Sequence, residues 1–195
     1  MRTDPETVHA QKASLRRGSR LRLEALPEQR RAEASRQACE RLTRQSIWSE
    51  AATVLFYAPM GPELDVWPLV AEALAHGKQV LLPRFTEASQ TYQACRIANL
   101  AGDIAPGKFG IRESASHCEV LALNRLDLVL VPGLAFDLRG GRLGRGKGYY
   151  DRLLTAAGGI TCGVAFDEQI VGAVPVAPHD RTLDCILTPT RWIEV

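Results

Sequence analysis

LDLVLVPGLAFDLRGGRLGRGKGYYDRLLT, residues 126 to 155, passes through three kinds of chain in one short stretch. Leu126 to Val131 is almost continuously apolar, which predicts a strand buried on both faces. Arg139 to Gly148 then packs five of the chain's sixteen glycines and four basic side chains into ten residues. Tyr149 to Thr155 reads as the start of a helix. Strand, glycine-rich turn and helix in that order form the repeating unit of a parallel sheet covered by helices.

The same alternation extends outward from this stretch. Thr53 to Ala58 (TVLFYA) reads as a buried strand, Pro59 to Pro62 as a turn, and Asp65 as the N-cap of a helix that reaches His76 and stops at Gly77. Further strands are expected at Gln79 to Leu82, Tyr92 to Ile97, Ile160 to Ala165 and Cys185 to Thr188, while residues 101 to 124 look like loop. Upstream, Lys12, Arg16 and Arg20 recur every fourth residue, so a helix over residues 7 to 25 presents them as one basic stripe. A second helix follows Pro27, with Ala32, Ser35, Cys39, Leu42 and Ser46 on its small or apolar face. Arg30, Arg31, Arg36, Arg41 and Arg44 lie outside that face. The expected architecture is α/β: a single-domain three-layer sandwich with a mostly parallel, Rossmann-like sheet and an N-terminal helical segment. Residues 1 to 47 supply helices that pack on an α/β core of residues 48 to 195. Ligands of such folds collect beyond the C-terminal ends of the strands. Pro59 to Asp65, Pro132 to Asp151 and Phe166 to Asp184 each follow a predicted strand, so they are expected to meet on one rim.

Composition narrows the function classes. The chain has 195 residues, 46% of them hydrophobic, enough for one ordinary core. No apolar run approaches the ~18 residues of a membrane span, and the polar start lacks the apolar region of a signal peptide, so a cytoplasmic location is expected. Five scattered cysteines include no C-x-x-C pair and read as small core residues. Residues 1 to 22 hold six basic and two acidic side chains, a net of +4, which leaves −2 for the remainder of a chain whose total is +2. That distribution argues against broad nucleic-acid binding and favours an anionic ligand held at concentrated basic spots.

The segment RGGRLGRGKG has the chemistry of such a spot. Glycines bring backbone N–H groups close to an anion, the basic side chains neutralise several charges at once, and the following helix N-terminus adds partial positive charge. Gly141 to Lys147 fits the G-x-x-x-x-G-K part of a Walker loop, but Gly148 stands where that motif needs Ser or Thr on magnesium. Carboxylates must then hold the cation. Asp151 is the nearest candidate; Asp184, at the start of the last expected strand, is a second candidate from the opposite side or a simple turn cap, and its metal role rests largely on a family resemblance. The competing reading of the segment is an Arg/Gly turn that binds RNA through charge and the two tyrosines.

Pro132-Gly133-Leu134-Ala135-Phe136-Asp137, followed by Arg142-Leu143-Gly144-Arg145-Gly146-Lys147-Gly148-Tyr149-Tyr150-Asp151, resembles the signature of the 5-formyltetrahydrofolate cyclo-ligase family. Lys12-x-x-Leu15-Arg16, the Glu63 turn, and Pro175 through His179, Asp180 and Asp184 extend the resemblance over nearly the whole chain. It departs at Arg112-Glu113-Ser114, where the family pattern ends in Glu-Pro. The resemblance implies an ATP- and Mg2+-dependent conversion of 5-formyltetrahydrofolate, polyglutamylated or not, to 5,10-methenyltetrahydrofolate. In it ATP phosphorylates the formyl oxygen, N10 closes the ring, and ADP and phosphate leave. It implies that Lys12, Arg16 and Arg142 through Tyr150 contact ATP, with Arg145 and Lys147 as the catalytic cations. Met60, Glu63, Phe109, Arg145 and Tyr149 line the folate pocket, and Asp151 and Asp184 hold magnesium. No membrane or nucleic-acid partner is expected, and the chain is expected to be a monomer or weak homodimer. An RNA-binding or nucleotide-sensing member of the same fold is the alternative, and a solvated helix face would show the same Lys12 and Arg16 spacing. His179, in a proline-rich loop, is read as structural rather than catalytic.

Overall fold

The computed structural model describes residues 5 to 177 and 180 to 195. Its helices are α1 (Pro5–Glu24), α2 (Glu28–Thr43), α3 (Ser46–Glu50), α4 (Trp67–Ala75) and α5 (Tyr149–Ala156). The strands of the first half are β1 (Thr53–Leu55), β2 (Gln79–Thr86), β3 (Thr91–Ile97), β4 (Ile104–Pro106), β5 (Arg112–Ser114) and β6 (Val120–Leu121). Those of the second half are β7 (Leu128–Pro132), β8 (Ala135–Asp137), β9 (Arg142–Leu143), β10 (Ile160–Val164), β11 (Ile170–Val171), β12 (Cys185–Leu187) and β13 (Trp192–Glu194).

The main sheet runs β13-β12-β10-β7-β1-β2-β3-β6, and its five central strands are all parallel. Alternate residues of each central strand feed two separate cores. Val54, Leu128, Leu130 and Val80 face Leu42 of α2 and Leu69 of α4, whereas Leu55, Val129 and Leu81 face Leu153 and Leu154 of α5. Two covered faces explain why these strands read as unbroken apolar runs, and they make the expected three layers. Burying a side chain such as Leu42 contributes about 2 kcal/mol.

Four local features refine these readings. The edges of the sheet are antiparallel: β2 turns directly into β3, β3 pairs with β6, and the C-terminal β13 folds back on β12. On α2 the buried face is Ser35, Ala38, Cys39 and Leu42, and Ala32 and Ser46 are exposed. Asp65 stands one position before the N-cap Val66, and its carboxylate accepts the Trp67 N–H at 2.9 Å. Residues 101 to 124, which look like loop, contain the β4–β5 hairpin and β6. All five cysteines are free and buried, as small core residues.

β1 and β7 are neighbours, yet β1 continues to β2 on one side while β7 leads to β10 on the other. The chain therefore changes winding direction between β1 and β7, and a crevice opens beyond their C-terminal ends.

Candidate active site

That crevice is a cleft of about 1370 Å³, above the ~300–1,000 Å³ range of a pocket for one small molecule. The loops after β1, β7 and β10 meet in it, supplying Met60 and Glu63, Arg142 to Asp151, and Val176, Ala177 and Asp180. One wall is cationic and glycine-rich; the facing wall is largely apolar.

The cationic wall starts from the β8–β9 hairpin. Arg142 and Leu143 pair with Phe136 and Ala135, so a strand occupies the middle of the sequence that resembled a Walker loop. Asp137 ties the hairpin shut by accepting the amides of Arg139 (2.9 Å), Gly141 (3.0 Å) and Val174 (2.7 Å). Burial alone would raise its carboxyl; the amides of Val174, Arg139 and Gly141, with Arg139's charge, outweigh that and hold it below its ordinary value. Beyond β9, Gly146 and Gly148 adopt φ of 98° and 66°, the left-handed region that favours glycine. Gly148 is the N-cap of α5. The amides of Arg145 to Gly148 donate to no described residue, and Lys147 is exposed with no partner among the described residues. These residues line the cleft at the positive N-terminal end of α5, a setting that favours a bound anion.

Two braces hold this loop. Arg142 is 6% exposed; its Nη2 donates to Asp151 Oδ1 at 2.7 Å, its Nη1 to the Pro132 carbonyl at 3.2 Å, and its guanidinium lies over the Tyr150 ring. From α1, Arg16 Nε donates to the Gly144 carbonyl at 3.0 Å, and Lys12 is ion-paired with Asp180. Leu15, between them in sequence, packs against the small core cluster of Ala135, Leu143 and Val174. The basic stripe is thus docked at the cleft by its own apolar neighbour.

At the junction of the two walls Arg145 Nη2 donates to Glu63 Oε1 at 2.7 Å, and Glu63 Oε2 accepts the Met60 N–H at 2.9 Å. Burial raises the Glu63 carboxyl, with Arg145 pulling it back down. The apolar wall contains Tyr57, Pro83, Tyr92 and Ile111, with Tyr149 packed edge-on against Tyr92 and Phe85. Burial pushes the Tyr92 phenol up to about 12.

The structure brings Lys12, Arg16, Met60, Glu63, the run from Arg142 to Tyr150, and Asp151 to this one cleft. It does not bring Asp184. Its Oδ2 accepts both the N–H (2.8 Å) and the hydroxyl (2.7 Å) of Thr161, at the start of β10 and β12. Asp151 lies in the first turn of α5 at the opposite edge, about 8 Å along that helix from its far end. The expected Asp151–Asp184 pair is therefore not formed. Phe109 belongs to the turn Lys108–Gly110, and its side chain and His179 lie outside the described residues. Sequence reasoning missed Tyr57, Tyr92 and Glu113, which share no motif. It also left Arg20 out of the site, although that residue closes the same basic stripe.

The model of the 5-formyltetrahydrofolate cyclo-ligase family matches residues 8 to 189. The chain belongs to this family. The 5-formyltetrahydrofolate cyclo-ligase of Mus musculus is 30% identical over 93% of this chain and 95% of its own length, and that of Escherichia coli K12 is 31% identical over 88% and 97%. Among solved structures, Aquifex aeolicus 5,10-methenyltetrahydrofolate synthetase superposes with a TM-score of 0.86 at 31% identity, covering 94% of this chain and 92% of that one. The Mycoplasma pneumoniae synthetase, at 20% identity and a TM-score of 0.74, shares the fold. The enzyme class and the α/β architecture read from the sequence stand with this family. No helix among the described residues is long and apolar enough to cross a membrane.

Proposed function

We propose that the chain converts 5-formyltetrahydrofolate and ATP to 5,10-methenyltetrahydrofolate, ADP and phosphate. The formyl oxygen takes the γ-phosphoryl group as ADP leaves. N10 then bonds to the formyl carbon, its proton is released, and that oxygen departs as phosphate. Both steps need positioning and charge neutralisation more than a protein nucleophile. The observation that carries the reading is one cleft of about 1370 Å³ lined both by a loop of undonated amides and cations, Arg145 to Gly148, and by an apolar wall, with volume for a second ligand.

In this reading the amides of that loop, Lys147 and Arg16 bind the triphosphate, and Arg145, aimed by Glu63, lies where the transferred group passes. Tyr149 and Met60 pack on the folate beside Glu63, and Phe109 joins them on the family resemblance alone. Mg2+ suits Asp151: one oxygen is taken by Arg142, the other has no hydrogen bond among the described residues, and a hard cation takes such an oxygen together with phosphate oxygens. The ion supplies charge neutralisation on the phosphates when bound. A monomer or weak homodimer in the cytoplasm, acting without a nucleic-acid partner, completes the proposal.

Mixing purified protein with 5-formyltetrahydrofolate, ATP and magnesium tests it: methenyltetrahydrofolate absorbance should rise, and only when ATP is present. No ATP-dependent rise, with salt-dependent RNA binding instead, would favour the nucleic-acid alternative.

A further inference from the structure

Glu113 is a buried carboxylate on the apolar wall with an unanswered acceptor. It is 5% exposed on β5 and lines the cleft with Tyr92, Ile111 and Pro83. Its Oε2 accepts the Phe85 N–H at 3.1 Å, and the Lys108 amide also faces the group, but Oε1 has no hydrogen-bond partner among the described residues. The nearby Arg84 does not pair with it: its Nη1 donates to the carbonyls of Ala115, Ser116 and Cys118. Burial accordingly pushes the Glu113 carboxyl up, against the pull of these amides and of Arg84.

The backbone is shaped around this group. A Cβ at Gly107 would stand 2.3 Å from both Cγ and Cδ of Glu113, so the β4–β5 hairpin accommodates the carboxylate only because residue 107 is glycine. A buried oxygen left without a donor is costly, and a ligand N–H in a water-poor wall recovers that cost. The group it suits is a planar, uncharged heterocycle presenting an N–H beside an amino group, the cyclic guanidine edge of a 2-amino-4-oxopteridine. An adenine amino group is the other donor available to this cleft. The position favours the pteridine, because Glu113 stands among the aromatic and aliphatic residues of the apolar wall rather than with the cations of α1 and the glycine loop.

We infer that Glu113 is the residue that recognises the 2-amino-4-oxopyrimidine edge of the reduced folate, and so sets the cleft's preference for a pterin. The inference rests on the folate reading proposed above and adds a recognition residue to it. Calorimetric binding of 5-formyltetrahydrofolate and of its 2-desamino-2-methyl analogue to wild-type protein and to Glu113→Gln tests it. The substitution should weaken the natural ligand roughly tenfold or more, the scale of a hydrogen bond to a charged group. The analogue should bind both proteins equally weakly, and ATP affinity should stay within about twofold, on the same hydrogen-bond scale. Gly107→Ala, which pushes the carboxylate aside without changing its chemistry, should reproduce the loss and serves where Glu113→Gln lowers the thermal midpoint. A folded variant that binds the folate like wild type overturns the inference, as does an analogue that binds wild type as well as the natural ligand. A loss confined to ATP would assign Glu113 to the adenine instead and overturn it too. Wild-type protein that binds no folate at all would remove the folate reading itself, a result distinct from folate binding that ignores Glu113.

Discussion

Asp137 and Lys147 sit on the same segment and do opposite work. Asp137 is 2% exposed and holds three amides, so Asp137→Asn should cost about 1–3 kcal/mol of stability. Its folded carboxyl is held below the unfolded value, so its contribution is complete above the unfolded pKa and disappears as pH falls through the folded one. Urea unfolding at pH 7 and in the acid range should therefore show the gap between wild type and variant closing on acidification; a gap indifferent to pH would deny the charged carboxylate its role. Lys147 lines the cleft from an exposed loop, with no hydrogen bond or ion pair among the described residues. Lys147→Ala should leave the thermal midpoint unchanged and raise the KM for ATP about tenfold, the scale of a lost charge-assisted hydrogen bond.

At the scale of elements, α1 and the β8–β9 hairpin act as one unit, joined by Leu15 against the cluster of Ala135, Leu143 and Val174 and by Arg16 on the Gly144 carbonyl. Leu15→Ala should loosen that docking and weaken ATP binding several-fold while costing only about 1 kcal/mol of global stability, since Leu15 is partly exposed. Far-UV dichroism and nucleotide titration check this together, and unchanged affinity would separate α1 from the site. Much of this level was readable beforehand. The i, i+4, i+8 stripe of Lys12, Arg16 and Arg20 and the two-sided apolar runs of β1 and β7 carry their own periodicity. The antiparallel edges were not readable: β3 and β13 have the same strand-like composition whichever way they pair, and their direction is set by the tight β2–β3 turn and by the chain end folding back on β12. Glu113 was not placed in the site for a related reason, because its burial depends on a hairpin in a stretch that reads as loop.

Across the whole molecule the winding reversal between β1 and β7 decides which residues meet. It collects Glu63, Arg145 and Asp151 at one edge of the sheet, and it leaves Asp184 at the other, bonded to Thr161. The family resemblance paired Asp151 with Asp184 on magnesium, and the sequence could not contradict it, since a residue just before a strand can lie at either edge until the strand's direction is known. Asp151→Asn should accordingly shift the magnesium titration of turnover to higher concentration, and Asp184→Asn should leave it in place. A shift with Asp184→Asn alone would reverse that assignment. The account as a whole depends on a triphosphate seated on the loop from Arg145 to Gly148, and titration calorimetry with magnesium and ATP measures this directly. One saturable site is predicted, weakened about tenfold in Lys147→Ala at unchanged thermal stability. Absence of heat, or equal affinity in that variant, would contradict it.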